Sequence, residues 1–173
     1  MIYIVRHGQT DWNVEGRYTG QIDIPLNEEG IAATKKLKEK FENKKIDIVI
    51  SSPLIRAQQT ARCITDKELI LDNRIMERNN GDLAGKLKTE IKEKIDFNSL
   101  NENRYNIEPI RDFRNRIEDF FNEVDKKYKN KNILIVTHAG VSIYARCHYE
   151  GKPNNHDYSS YKLGNCEVLE YEN

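Results

Sequence analysis

The sequence predicts a layered α/β domain whose mostly parallel sheet is covered on both faces. Three observations carry this. The runs Ile2–Val5, Ile46–Ile50 and Ile133–Val136 are β-branched and nearly continuous, as in strands buried on both sides. Helical patterns lie between them, which indicates strands alternating with helices. Each run also ends directly in a polar group: Val5 in Arg6-His7, Ile50 in Ser51-Ser52, and Val136 in Thr137-His138.

The helices follow from caps and spacing. Asn27 caps a helix whose first turn holds Glu28 and Glu29, and Ile31, Thr34, Leu37 and Phe41 recur at helical intervals. Ser52 reads as the N-cap of a second helix with Pro53 at its first position. Phe113, Ile117, Phe120, Phe121 and Val124 mark a third helix running towards Tyr128. Cys166–Tyr171 reads as a last strand returning to the sheet. Residues 86–110, rich in Lys, Glu and Asn, read as a partly helical, mobile surface segment whose lysines form a solvated face, with the alternative that some reach an anionic substrate. With 173 residues and no linker or repeat, a single domain spanning 1–173 is expected.

Composition narrows the partners. Lys plus Arg and Asp plus Glu are 28 each, so no global attraction to nucleic acid or an anionic membrane is expected. No apolar run approaches the roughly 18 residues of a membrane span. Met1–Gly8 has no basic head and too short an apolar stretch for a signal peptide. The three cysteines, Cys63, Cys147 and Cys166, read as reduced thiols of a cytoplasmic protein. Cys147-His148 with His156 matches no zinc spacing, so no metal and no cofactor is expected.

In open parallel sheets the ligand site lies beyond the carboxyl ends of the strands. Arg6, His7, the Ser52 turn with Arg56 beyond it, and His138 would therefore share one crevice. Two arginines and two histidines make a cationic site, and the guanidinium fork suits phosphoryl oxygens. An arginine in the first turn of a helix is slightly unfavourable unless an anion completes the site. Neighbouring arginines would keep the His7 imidazole neutral and hence nucleophilic.

These residues sit in four ordered motifs. Arg6-His7-Gly8 leads into Gln9-Thr10-Asp11-Trp12-Asn13 and Tyr18-Thr19-Gly20. Ser51-Ser52-Pro53-Leu54-Ile55-Arg56-Ala57 follows, then Met76-Glu77-Arg78, then Val136-Thr137-His138-Ala139-Gly140. Together they resemble the histidine phosphatase superfamily, which includes cofactor-dependent phosphoglycerate mutases and small phosphatases, over essentially the whole chain. The resemblance implies a three-layer α/β/α fold with a mostly parallel central sheet. It implies His7 as a phosphorylated nucleophile, with Arg6, Arg56 and His138 on the phosphoryl oxygens and Glu77 as proton donor. It also implies Asn13, Thr19, Gly20, Arg78 and Ala139 as pocket residues.

The expected activity is metal-independent hydrolysis of a small phosphorylated metabolite. The polar run Arg78–Asp82 suits a small hydrophilic substrate. Phosphoglycerate mutase activity is the first alternative. It is weakened by the short interval from Glu77 to His138, which has no tandem arginines in 86–110. A non-catalytic phospho-ligand binding module is the second, and a pure binder would need neither a nucleophile nor an acid.

Overall fold

Alternate residues of the central strands face opposite ways, and the two faces bury different sets. The structure, a computed structural model, describes residues 1–97, 99–100, 102 and 104–173, and only the backbone of Asn155. Strands β1 (Ile2–Arg6), β2 (Ile48–Ser51), β3 (Leu69–Leu71), β4 (Ile133–Thr137) and β5 (Val168–Tyr171) form one sheet in the order β3-β2-β4-β1-β5. The first four are parallel, and β5 pairs antiparallel with β1.

Helices are α1 (Asp11–Glu15), α2 (Glu28–Glu39), α3 (Ile55–Ile64), α4 (Ile110–Lys127) and α5 (Ala139–Glu150). Ile2 and Ile4 of β1 and Ile133 and Ile135 of β4 pack with Phe113, Ile117, Phe120 and Phe121 of α4 and Val141 of α5. Tyr3 and Val5, with Leu134 and Val136, pack on the other face against Leu37, Ala57, Ala61 and Ile64 of α2 and α3. The expected three layers are therefore present. Each fully buried phenylalanine of α4 contributes about 2–3 kcal/mol through lost apolar contact with water.

Several boundaries differ from the expectation. β2 starts at Ile48 because the amides of Asp47 and Ile48 both bond the Asn132 carbonyl instead of a strand partner. The second helix starts at Ile55, not Pro53. Its Ile55 amide is capped by Asp23 Oδ1 at 2.7 Å, while Ser52 Oγ accepts from the Leu54 amide at 3.4 Å. The three-residue β3 and helices α1 and α5 were not foreseen. Of the stretch 86–110, Asn98, Asn101 and Asn103 lie outside the described residues. The rest contributes single 3-10 turns at Lys88–Glu90 and Arg104–Asn106 before α4 begins at Ile110. Among the described residues no helix is long and apolar enough to cross a membrane.

Candidate active site

Register decides what meets at the sheet's carboxyl edge. Arg6 lies opposite Thr137, and Ser51 opposite Val136, so β1, β4 and β2 end level. The ladder continues one residue further. His7 N–H donates to the Thr137 carbonyl at 2.9 Å, and Ser52 N–H to the Val136 carbonyl at 3.0 Å. His7, His138 and Ser52 thus leave adjacent strands side by side. The two imidazole rings lie 5.1 Å apart. His138 Nε2 meets Ser52 Oγ at 2.7 Å, so the serine expected to cap a helix orients a histidine instead.

A cavity of about 300 Å³ opens above this edge. Arg6, His7, Arg56 and Glu77 line it, as do Asn13, Thr19, Gly20, Arg78 and Ala139. His138 does not reach its wall; it is 0% exposed and lies behind His7. The sequence reading therefore brought one residue to the site's support and the other nine to its lining.

His7 is 4% exposed, and its Nδ1 lies 2.6 Å from the Gly8 carbonyl. Only a protonated Nδ1 can donate there, so the lone pair belongs to Nε2. Burial holds the ring well below its ordinary pKa, and the charges of Arg56 and then Arg6 add to this. Burial, not the arginines, is thus the larger cause. His138 is held down in the same way, by burial first and then Arg56.

This has a consequence for stability. The unfolded chain takes protons on both rings near pH 6.5, while the native rings resist. Stability should fall as pH drops through that value, by up to about 1.4 kcal/mol per pH unit for each ring until the native ring protonates. Denaturant midpoints between pH 7.5 and 5.5 check this. His7→Gln is expected to flatten the slope, and an unchanged slope would contradict the assignment.

The two arginines are fixed by backbone carbonyls, not by acids. Arg6 Nη1 donates to Leu163 O at 2.8 Å. Arg56 is 1% exposed and donates from Nη1 to Ile22 O at 2.8 Å and from Nη2 to Gly20 O at 2.7 Å. Gly20 stands at φ 53°, and an added Cβ would lie 2.9 Å from Asn80 N. The Nε atoms of both arginines and Nδ1 of His138 are buried with no hydrogen-bond partner among the described residues. The two arginine Nε–H groups are donors and demand an acceptor.

Glu77 is placed by its surroundings. Its Oε1 accepts from Arg78 N at 2.8 Å and its Oε2 from Gly140 N at 3.1 Å. A Cβ on Gly140 would lie 2.3 Å from Oε1, so only glycine leaves room for that carboxylate. Arg74, three residues before Glu77, pairs instead with Asp72, Asp119 and Glu123.

Arg116 went unnoticed in the sequence. From α4 it donates to the carbonyls of Arg74 at 2.6 Å, Met76 at 2.7 Å and Glu77 at 3.1 Å, and it pairs with Glu108 at 2.8 Å. Glu108 also takes the Asn79 amide, at 3.0 Å. The pair thus fixes the whole turn that carries Glu77. The available signal was one arginine of three in 111–116, the one beside Ile117 at the edge of an apolar stripe. Two lysines read as surface groups or left unread, Lys88 and Lys162, line the cavity as well. So do Tyr18, Phe97 and Tyr144, which makes its lining more aromatic than the polar run Arg78–Asp82 suggested.

Asn13 closes a capping box with Thr10 and lies 3.3 Å from Asn165 Nδ2, which donates to the His7 carbonyl at 2.9 Å. Arg78 is 6% exposed and donates from Nε to Glu108 O at 2.7 Å and from Nη1 to Phe97 O. Its Nη2 is buried without a partner among the described residues. Cys147 and His148 lie elsewhere, with His148 bonded to Asp125 at 2.7 Å.

Comparison with known proteins follows this geometry. Phosphoserine phosphatase 1 of Hydrogenobacter thermophilus is 33% identical over 148 residues, which cover 80% of this chain and 70% of that protein. The alpha-ribazole phosphatase of Shigella flexneri superposes with a TM-score of 0.81 at 26% identity, covering 95% of this chain and 86% of its own. Phosphoserine phosphatase of Entamoeba histolytica, in complex with 3-phosphoglyceric acid, gives a TM-score of 0.81 at 25% identity, covering 96% and 87%. The profile of the histidine phosphatase superfamily (branch 1) matches residues 2–173, and the chain belongs to that superfamily as a phosphatase of its type.

Proposed function

We propose that the protein hydrolyses a small phosphomonoester through a phosphohistidine on His7, with residues 1–173 acting as one domain. The observation that carries this is a neutral imidazole whose Nε2 holds the lone pair, lining one cavity with Arg6 and Arg56, whose Nε donors are buried without a partner among the described residues. His7 Nε2 attacks phosphorus, and the P–O bond to the leaving group breaks. Arg6 and Arg56 hold the non-bridging oxygens as charge spreads over them, and His138, buried beside His7, supports the ring.

The Glu77 carboxyl gives its proton to the leaving alkoxide. The resulting carboxylate then takes a proton from water as that water attacks the phosphorus of phospho-His7. Inorganic phosphate leaves, and both residues return to their starting forms. No step uses a metal or cofactor. Asn13, Thr19, Gly20, Arg78 and Ala139 shape the pocket around the ester. The small phosphorylated metabolites named for the relatives, phosphoserine among them, set the size range of the substrate.

A second reading, transfer to an organic acid as in a mutase, gains support from Lys88, a basic residue of the Glu77–His138 interval that lines the cavity. One experiment addresses both. Hydrolysis of p-nitrophenyl phosphate should survive chelator, and rapid quenching should trap an acid-labile, base-stable phosphoprotein. Loss of activity in chelator, or no trapped phosphoprotein, would overturn the mechanism. With 3-phosphoglycerate and a bisphosphate primer, rearranged ester in place of released phosphate would favour the mutase.

A further inference from the structure

The segment 163–167, just before β5, takes no part in the proposed chemistry, yet it grips the end of β1. Arg6 Nη1 donates to Leu163 O at 2.8 Å. Arg6 N–H donates to the Glu167 carbonyl at 3.2 Å, and Cys166 N–H donates to the Arg6 carbonyl at 3.0 Å. The segment is itself a closed turn. Glu167 N–H donates to Gly164 O at 3.2 Å, and Gly164 N–H donates to Glu167 Oε2 at 2.6 Å. Cys166 stands at φ 61°, in the left-handed region that such a turn uses. Asn165 and Cys166 are its central residues.

The Asn165 side chain reaches two acceptors. Its Nδ2 donates to the His7 carbonyl at 2.9 Å and to Asn13 Oδ1 at 3.3 Å. A carbonyl oxygen only accepts, so the group facing it must be the NH2, and this fixes which way the Asn165 amide is turned. Asn13 is fixed by the same reasoning. Thr10 N–H, a backbone donor, points at Asn13 Oδ1 at 3.2 Å. Oδ1 therefore serves two donors, and the Asn13 NH2 is turned away from both. No hydrogen bond among the described residues uses that NH2, and Asn13 lines the cavity. An unbonded NH2 at the wall of an anion pocket is a donor for a phosphoryl oxygen.

We propose that Asn165 is a positioning residue, whose one amide fixes both the backbone that carries His7 and the direction in which Asn13 presents its NH2 to the phosphoryl group. The inference rests on the phosphatase reading, which supplies the anion that the NH2 meets. Asn165 itself does not line the cavity, so it acts only through these two neighbours. Without it, Asn13 Oδ1 keeps the Thr10 amide alone, and the side chain is free to rock about its last torsion. Ordering it again on binding offsets part of the bond to the anion. The His7 carbonyl also loses its side-chain donor, and small displacements of an attacking atom are costly to rate.

The test is a double-mutant cycle read by calorimetry with inorganic phosphate. Asn13→Ala should weaken phosphate binding by about tenfold, and Asn165→Ala by about fivefold. In the Asn13→Ala background, Asn165→Ala should cost less than about twofold, because the group it orients is gone. A residue that merely stabilised the fold would show no such coupling. Asn165→Leu keeps the bulk of the side chain and should repeat the result, which guards against an alanine variant that fails to fold. With p-nitrophenyl phosphate, kcat should fall by about tenfold in both Asn165 variants, and this loss, carried by His7, should persist beside Asn13→Ala. Fully additive losses of phosphate affinity, or affinity and kcat both within about twofold of the parent in both Asn165 variants, would overturn the positioning role. Absence of turnover on every ester by the wild-type protein, with the affinity coupling intact, would instead remove the phosphatase reading and leave the hold of Asn165 on Asn13 standing.

Discussion

His7→Ala is expected to lower turnover by about 10⁴-fold or more, because it removes the atom proposed to take the phosphoryl group. The fold should survive. The ring makes one side-chain hydrogen bond, to the adjacent Gly8 carbonyl. Its removal costs about 1–3 kcal/mol, within the stability of an ordinary domain. The variant should keep the parent's circular dichroism and still bind inorganic phosphate through Arg6 and Arg56. Phosphate release from an aryl ester measures the loss. A variant retaining a tenth of the parent rate would remove His7 from the chemistry.

Arg56→Ala should damage both rate and stability. Its guanidinium ties together Gly20 and Ile22, so the loop lining one wall loses its anchor along with a donor proposed for the phosphoryl group. Two carbonyls left without donors cost about 2–5 kcal/mol together. The lost transition-state donor costs about 10²–10³ in kcat. Arg56→Lys restores a charge but not the fork that spans two carbonyls, and it should recover less than about a tenth of the rate. Thermal denaturation and kcat, measured together, separate the two effects. A variant within threefold of the parent in kcat would show that Arg56 serves the loop alone.

The fold was legible where strands are long and β-branched. Ile2–Arg6 and Ile133–Thr137 announce themselves because both of their faces are buried, and their polar ends mark the site's edge. Leu69–Leu71 did not, since three residues at a sheet edge show no period. Ala139–Glu150 was hidden because its core face is built from Ala145, Ser142 and Val141 as much as from large residues.

At the site, Arg6, His7, Arg56 and His138 could be placed from their position after strands or on a helix start. Glu77 needed the family likeness, because no local pattern shows that Gly140 leaves room for its carboxylate. Ser52 was found but misread, since the cap preference of serine is local whereas its bond to His138 spans the sheet. Lys88, Lys162 and Arg116 depend on how distant segments meet. A lysine in a polar stretch looks the same whether it faces water or a pocket.

The pairing of β1 also bears on how the molecule is assembled. Its neighbours are residues 133–137 on one side and 168–171 on the other, so the first strand bonds only with the last two. Local contacts cannot form it early, and the high sequence separation favours slow folding. On a ribosome the segment bearing Arg6 would wait, unpaired, until most of the polypeptide had emerged. The cradle of His7 is therefore among the last parts to close.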